Sequence, residues 1–326
     1  MSYSPARLRA ALFIALTLPV TAAFAQPSYP AKPIRIIVPF PPAGNTDVYA
    51  RPIARKMTEI YGQQMIIDNR PGAGGSIGMD LAVKSPPDGY TLVWGSTSTH
   101  GVGPNVYKKL PYDPVNDFEP VILAVLAQNI LVVHPSVPAK SVNDLIRIAK
   151  ARKSALSFAS SGNGTISHLA GEFFNTLAGT DMVHVPYKGS SPAMVDLMSG
   201  QVDVMFDSLA SSLPQVRAGK LRAIAVTGEK RFAAMSEVPT IIESGLKGFD
   251  VSTWLAIWAP RKTPAEIVNR LNADINKALT QPDILKLMAE NGAEPGGGPP
   301  LRLDKHVKNE IAKWGKVVKA AHVTIE

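Results

Sequence analysis

The segment of residues 34–61 constrains the fold of this chain more than any other part of the sequence. It opens with IRIIV, and such a run of β-branched residues is typical of a buried strand. The prolines and the glycine of the PFPPAG segment that follows cannot continue a strand, so the chain must turn there. Apolar residues then recur on one helical face, which predicts a helix capped by Asn45 or Thr46 and stopped by Gly62. A strand, a tight turn and a helix start present outward-pointing N–H groups, a geometry that favours an anion.

The N-terminus has the three parts of a secretory signal peptide. Arg7 and Arg9 supply the basic region, residues 10–18 are apolar apart from one threonine, and an AFA cleavage site ends the segment. The apolar core is too short for a membrane anchor, and no later apolar run reaches spanning length. We expect a signal peptide of residues 1–25, with Gln26 as the first mature residue and a soluble mature protein in the periplasm.

Composition narrows the class of protein. At 326 residues, with 45% hydrophobic and 18% charged residues, the chain is long enough for one large or two medium globular domains. It has no cysteine, which excludes disulfides, thiolate metal sites, a cysteine nucleophile and a lipid-modified cysteine. The formal charge of +8 falls to +6 without Arg7 and Arg9. Because the basic residues form no long run and are not interleaved with aromatic residues, we expect no nucleic-acid partner and a diffuse field that attracts small anions.

The strand–turn–helix order recurs along the chain, which predicts βαβ units and parallel sheets. Two longer apolar runs, at residues 120–134 and 251–259, bracket the middle of the chain, and Gln128 and Asn129 interrupt the first as if two strands met there. We predict two α/β lobes joined by two crossover segments, with a small-ligand cleft between them. The predicted first lobe comprises residues 26–127 plus 252–326, and the second comprises residues 128–251.

Enzyme motifs are weak or absent. The GAGGSI segment at residues 72–77 misses the dinucleotide fingerprint, because Ile77 stands where the third glycine is required. The segment around Ser191 faintly resembles a nucleophile elbow, but Pro192 has no N–H for an oxyanion hole, so we predict Ser191 to be a helix N-cap. No carboxylate pair suits general acid–base catalysis.

The six histidines form no local metal motif, because no two of them lie within five residues of each other. His134 and His184 fall in strand-like runs and are predicted to be structural. His100 and His168 follow polar loops, where each could hydrogen-bond a ligand or simply face solvent or cap a helix. We expect no metal and no cofactor.

Three short polar loops that follow predicted strands are the positive signal. They lie at residues 44–46, 96–99 and 160–165 and offer hydroxyls, amides and backbone N–H groups without a committed charge. Any one of them could be an ordinary α/β turn. Three in one chain, with a two-lobe layout and an export signal, favour a ligand site.

Several longer motifs make a family resemblance specific. They are YPAKPIRIIVPFPP (29–42), DNRPGAGG (68–75), PDGYTL (87–92), FASSGNGT (158–165), HVPYKG (184–189) and VPT (238–240). Over almost its whole mature length the chain resembles the extracytoplasmic solute receptors of the tripartite tricarboxylate transporter family, the Bug proteins. The resemblance implies a two-lobed α/β periplasmic binding protein, type II-like, which closes like a Venus flytrap. Each lobe would be a mainly parallel sheet with flanking helices.

The resemblance also implies what the protein binds. The expected ligands are small carboxylates: di- and tricarboxylates, acidic amino acids, and nicotinate-like or aromatic acids. The expected partners are membrane subunits of a tripartite transporter, or a sensor protein, and the receptor itself is expected to be a monomer without catalytic activity. The alternative is an exported hydrolase or lyase acting on a small carboxylate ester through Ser191 or His168.

Carried over by motif, the resemblance nominates ligand-binding residues in loops of both lobes. They are Pro42, Ala43, Gly44 and Thr46 in the first loop, Ser96, Thr97 and Thr99 after the third strand, Ser160, Gly162, Asn163 and Thr165 in the second lobe, and Tyr187 and Asp207 at the variable end of the ligand. Asp207 could pair with a ligand ammonium or serve as a helix cap. Many relatives carry Gly-Gly where this chain has Ala43-Gly44, and a small residue at Asn45, so these positions bear on ligand identity.

Overall fold

A computed structural model describes Met1, residues 29–151 and residues 156–325. The predicted signal peptide and Gln26 therefore lie outside the described residues, apart from Met1. The described strands are β1 Ile34–Val38, β2 Met65–Asn69, β3 Thr91–Ser96, β4 Phe118–Val133, β5 Ser157–Ser160, β6 Val183–Pro186, β7 Val204–Ser208, β8 Arg222–Val226, β9 Ser252–Pro260 and β10 Ala293–Pro295. The described helices are α1 Asn45–Tyr61, α2 Ser76–Val83, α3 Gly103–Val106, α4 Val142–Ala151, α5 Ile166–Ala178, α6 Ser190–Met198, α7 Leu209–Arg217, α8 Ala265–Leu279, α9 Pro282–Glu290 and α10 Pro300–Ala320.

The strands form one mixed sheet in the order β2-β1-β3-β9-β4-β7-β5-β6, with β8 and β10 also paired to β4. Strands β1, β2 and β3 are parallel at one end, and β5, β6 and β7 are parallel at the other. Between them β4 and β9 run antiparallel to each other and to their neighbours. This arrangement confirms the predicted α/β class, with a parallel group on each side of two long strands.

Strand β4 belongs to both halves of the sheet. Its residues 118–128 pair with β9, and its residues 129–133 pair with β7 and β8. The apolar run at residues 120–134 is thus one strand of 16 residues and not two. The polar Asn129 does not break this strand, because its Oδ1 accepts a hydrogen bond from Thr253 Oγ1 at 2.7 Å. The predicted lobe boundary near residue 128 falls where β4 changes partners and stays a prediction.

Helix α10 packs against both halves. Its Leu303 and Val307 belong to a hydrophobic cluster with Trp254 and Trp258 of β9. Its C-terminal half, including Trp314, packs in the cluster that surrounds β5 and α5. Between these contacts Glu310 Oε2 accepts hydrogen bonds at 2.8 Å from the indole nitrogens of both Trp254 and Trp314. The C-terminal helix therefore crosses behind the two long strands.

Among the described residues, no helix combines the length and the apolar character that crossing a bilayer requires.

Substituting Gly171 tests how closely α5 packs on the second half of the sheet. A Cβ at Gly171 would lie 2.2 Å from Cε2 of the buried Phe158 ring. Alanine favours a helix by up to about 1 kcal/mol over glycine. Overpacking costs about 1–3 kcal/mol, so we expect Gly171→Ala to lower the free energy of unfolding measured with urea. Gly228→Ala is the control, because a Cβ there meets no atom within 4 Å. Equal stability of the two variants would contradict this packing.

Candidate functional site

A cavity lies where the N-termini of four helices converge from both halves of the molecule. Its volume is about 50 Å³. Asn45 of α1, Ile166 of α5, Ser190 of α6 and Ser208, the N-cap of α7, all line it. The first N–H groups of a helix have no partner within the helix, and the helix dipole adds partial positive charge at that end. Helix starts that meet at a cavity generally favour a negatively charged guest.

The cavity wall holds little formal charge. Among the described residues that line it, Asp207 is the single ionisable one, and the other polar groups are hydroxyls and amides such as Ser98, Asn129 and Thr253. Phe40 and Leu255 supply part of the apolar wall. An anion bound here would be held by backbone N–H groups, hydroxyls and amides and not by a salt bridge.

Asp207 lies at the end of β7 and is 4% exposed. Both of its carboxylate oxygens lie 2.8 Å from Ser190 Oγ, and one also accepts hydrogen bonds from Ser211 and Ser212. Burial raises the pKa of Asp207 above its ordinary value, while the Ser211 and Ser190 hydroxyls and the Ser208 N–H oppose that rise. Asp207 is not the cap of α7, because Ser208 fills that position and its Oγ accepts from Ala210 N at 3.3 Å.

Hydrogen bonds connect the two halves across the cavity. Ser208 Oγ donates to Asn45 Oδ1 at 2.6 Å. Ile166 N donates to Ser98 Oγ at 3.0 Å. Tyr107 Oη donates to the Asn163 carbonyl at 2.6 Å. Each bond joins a residue from the half that contains β1–β3 to a residue from the half that contains β5–β7.

Two predicted helix caps are wrong. Helix α1 begins at Asn45, so the N-cap is Gly44 and neither Asn45 nor Thr46. Helix α6 begins at Ser190 with Gly189 as its N-cap. The hydroxyl of Ser191 donates instead to the Pro42 carbonyl of the other half, at 2.9 Å. Gly189 is required there because its φ is 134° and a Cβ would lie 2.4 Å from the Pro41 ring.

The predicted ligand-binding residues fall into three groups. Gly44, Thr46, Ser96 and Asp207 line the cavity. Gly162, Asn163 and Tyr187 line a neighbouring cleft of about 240 Å³, which shares Phe40 and Ser161 with the cavity. The other predicted residues line neither space. They are Pro42, Ala43, Thr97, Thr99, Ser160 and Thr165.

The three threonines of the third group hold the loops around the cavity in place. Thr97 Oγ1 accepts from Trp254 N at 2.8 Å, and Thr99 Oγ1 accepts from Ser96 N at 2.9 Å. Thr165 Oγ1 donates to the Gly162 carbonyl at 2.7 Å. These side chains fix the backbone on which the cavity-lining residues stand.

Ala43 adopts a backbone conformation that glycine accepts more readily. Its φ is 58°, in the left-handed region, and its N–H donates to Asp47 Oδ2 at 3.0 Å. A non-glycine residue there costs on the order of 1 kcal/mol. Ala43 therefore holds a strained turn beside the start of α1.

Several lining residues were not predicted from the sequence. Strands β4 and β9 contribute Asn129 and Thr253, and the helix starts contribute Ser167, Ser190 and Ser208. Asn129 had a signal, since it interrupts an otherwise apolar run. The serines had none, because they stand where any helix N-terminus has such residues.

A histidine pair lies behind the loop between β5 and α5. The His168 and His184 rings stack with centroids 3.9 Å apart, and suitable ligand atoms of these residues and Glu172 lie within 4.8 Å of one another. Gly164 N donates to His168 Nδ1 at 3.3 Å, so the neutral ring carries its proton on Nε2, which faces Glu172 Oε1 at 3.8 Å. A metal at Nε2 would require that proton to leave. His184 Nε2 lies 2.6 Å from Ser160 Oγ, so the pair supports the binding loop.

Comparison with known proteins gives consistent matches. Residues 49–323 match the family model described as "Tripartite tricarboxylate transporter family receptor". The chain is 38% identical over 309 residues to Protein BugT of Bordetella pertussis, covering 94% of each chain. It is similar to a structure of R. palustris Rpa4515 with adipate, with 41% identity and a TM-score of 0.89 over 91% of this chain and 99% of that one. MatC from Rhodopseudomonas palustris with bound malate gives 34% identity and a TM-score of 0.86, over 89% and 100%.

The buried histidines predict how stability depends on pH. Burial lowers the pKa of His168 to about 4 and that of His184 to about 3, and His168 adds to the second shift. The ordinary pKa of histidine is 6.5. At pH values between these lowered pKa values and 6.5, the unfolded chain binds more protons than the folded one, so stability falls as pH decreases through this range. We expect His168→Gln to reduce the loss of unfolding free energy between pH 7 and pH 5 by about 1–2 kcal/mol.

Urea unfolding at both pH values measures this loss. His322→Gln, at an exposed position, is the matched control and should leave the loss unchanged. If both variants lose as much stability as the unmodified protein, the histidine pair is not the acid-sensitive element.

Proposed function

The chain belongs to the tripartite tricarboxylate transporter receptor family and is a solute-binding receptor, and on this premise we propose that it captures a small carboxylate in the cavity between its lobes. The observation that supports this most directly is the convergence of four helix N-termini on one cavity. The N–H groups and the partial positive charge at helix starts favour an anion.

The free energies expected from such contacts are large enough for micromolar affinity. A helix N-terminus contributes about 0.3–1 kcal/mol to a bound carboxylate, and up to about 2 kcal/mol when partly buried. Each hydrogen bond to the charged group adds on the order of 1.5–3 kcal/mol. A few such contacts reach the roughly 8 kcal/mol of micromolar affinity. The adipate and malate in the structures of relatives support a carboxylate class without naming the ligand of this chain.

Capture would proceed by closure of the lobes about β4 and β9. These two strands pass between the halves, and β4 exchanges its partners at residues 128–129. In an open form the interlobe bonds of Ser208, Ser98 and Tyr107 would be broken. A bound carboxylate offsets the cost of bringing the lobes together, because it contacts helix ends from both.

Export, delivery and oligomeric state complete the proposal. Residues 1–25 would direct the protein to the periplasm. There the receptor, as a monomer, would present its ligand to membrane subunits of a tripartite transporter or to a sensor protein. The family is one of receptors, and the protein is not an enzyme. The hydrolase alternative also fails on geometry, because the Ser191 hydroxyl proton is directed to the Pro42 carbonyl and not to a base.

Asn45→Asp tests the anion site with an almost isosteric change. The new carboxylate would stand among the helix starts and repel a ligand carboxylate, while aspartate remains favourable at a helix N-terminus. A carboxylate at 100 times its dissociation constant should stabilise the unmodified protein by about 2.7 kcal/mol. We expect Asn45→Asp to weaken binding by roughly tenfold or more, measured by thermal shift and calorimetry against a carboxylate panel.

Asn143→Asp is the matched control, because Asn143 is exposed in the first turn of α4. It should bind as the unmodified protein does. Stabilisation by sugars or cations, with no response to any carboxylate, would refute the proposed function.

A further inference from the structure

A second cavity lies behind the two long strands of the sheet. Its volume is about 460 Å³, which is in the range of small-molecule sites, whereas the cavity at the helix starts measures about 50 Å³. Residues of β4, β9, α9, β10 and α10 line it, together with residues 230–233, which follow β8. We call it the back cavity, and the other the helix-start cavity.

The two cavities lie on opposite faces of β4 and β9. Successive side chains of a strand point to opposite faces of the sheet. On β4, Gln128 lines the back cavity and Asn129 lines the helix-start cavity. On β9, Trp254 lines the back cavity, Leu255 lines the helix-start cavity, and Thr253 borders both. The back cavity is therefore a separate space and not an extension of the proposed carboxylate site.

The Gln128 side chain brings an unpaired acceptor to the back cavity. Its Nε2 donates to the Lys230 carbonyl at 3.2 Å. Because a carbonyl oxygen cannot donate, this bond determines which end of the amide is the nitrogen. The remaining atom, Oε1, is buried and has no hydrogen-bond partner among the described residues. A buried acceptor without a partner is unfavourable, so a guest that donates a hydrogen bond is favoured here.

Helix α10 contributes further acceptors. Glu310 Oε2 accepts from the indole nitrogens of Trp254 and Trp314 at 2.8 Å each. Both bonds fall on one oxygen, so Glu310 Oε1 is left for a guest. One turn earlier, His306 Nε2 is also buried without a partner among the described residues. Burial lowers the pKa of His306, so its ring is neutral at pH 7 and has a lone pair on one nitrogen.

Two cationic residues border the back cavity without reversing its character. Arg231 is already paired, because its Nε donates to Glu243 Oε2 at 2.8 Å. Lys230 and Glu294 are both exposed, and their charges are opposite. The partly buried Glu310 is therefore the charged group that a guest inside the back cavity meets.

We propose that the back cavity binds a small primary ammonium ion with an apolar body. An ammonium group has three donors and no acceptor, which matches Gln128 Oε1, Glu310 Oε1 and the lone pair of His306. The apolar body would contact Leu126 and Phe232. An anion would instead be repelled by Glu310 and would leave Gln128 Oε1 unpaired. This site does not depend on the proposed function, because no helix start that lines the helix-start cavity lines the back cavity.

Primary ammonium salts and their uncharged counterparts test the proposal. Calorimetry is performed on the mature protein with the chlorides of hexylammonium, benzylammonium and phenethylammonium. The matched compounds are hexanol, benzyl alcohol and 2-phenylethanol, which have the same apolar bodies. We expect the ammonium ion that fits to bind roughly tenfold or more tightly than its alcohol, because hydrogen bonds to charged groups are the stronger ones.

Two substitutions locate the site. Glu310→Gln removes the negative charge, and the glutamine oxygen can still accept from both indoles. Gln128→Leu removes the unpaired acceptor and is the second variant if the first folds poorly. Each variant, when folded by circular dichroism, should weaken binding of the ammonium ion roughly tenfold. Glu290→Gln is the matched control and should leave binding unchanged, because Glu290 is exposed at the end of α9 and does not line the cavity.

The contrary outcomes are distinct. If no ammonium ion binds, or if the alcohols bind as tightly as the ammonium ions, the inference is overturned. It is also overturned if Asp207→Asn abolishes binding while Glu310→Gln and Gln128→Leu retain it, because the ammonium ion would then occupy the helix-start cavity. The carboxylate panel is measured without any amine, so failure of either proposal leaves the other standing.

Discussion

The structure depends on how the free N–H groups at helix starts are satisfied. Most helix N-termini in a protein are capped by their own side chains or by water. Helices α1, α5 and α6 begin at N-cap residues whose side chains make no capping hydrogen bond, as do α2, α3, α8, α9 and α10. What distinguishes α1, α5 and α6 is that their first residues line one cavity. The Ile166 N–H finds its partner in Ser98 of the other half. The partial positive charge of these helix starts is thus directed at one cavity.

The sheet makes this convergence possible. In a parallel sheet the helices that follow the strands begin at the carboxyl edge, so a half built this way presents several helix starts on one side. The two halves are connected through β4, which changes partners at residues 128–129. The hydrogen bond between Asn129 and Thr253 satisfies the polar side chains of both long strands at that point. Helix α10 crosses behind them, where Glu310 joins Trp254 to Trp314.

The sequence was sufficient for the architecture and only partly for the site. Periodicity and turn residues predicted the α/β class and the strand–loop–helix units, because β-branched runs and helical faces are local patterns. The caps of α1 and α6 were predicted wrongly. For α6 the reason lies in the other half of the molecule, where the Pro41 ring approaches Gly189 and leaves no room for a Cβ. Ser190 and Ser208 could not be predicted as lining residues. Ser190 is hydrogen-bonded to Asp207 and Ser208 to Asn45, and each partner is distant in the sequence. Local patterns contain no information about which loops will meet.

A wall of hydroxyls and helix ends also suits a receptor better than a wall of charged side chains would. A buried arginine would have to lose its water each time the lobes closed, and the penalty for a desolvated ion is several kcal/mol. Backbone N–H groups at helix starts are fixed in position by the fold, so little ordering is needed on binding. Serine side chains are short, which lets the halves approach until Ser208 reaches Asn45. Whether each serine hydroxyl donates or accepts a hydrogen bond is determined by the groups around it. Ser190 shows this, because its hydroxyl donates to the buried Asp207 carboxyl, which lines the same cavity.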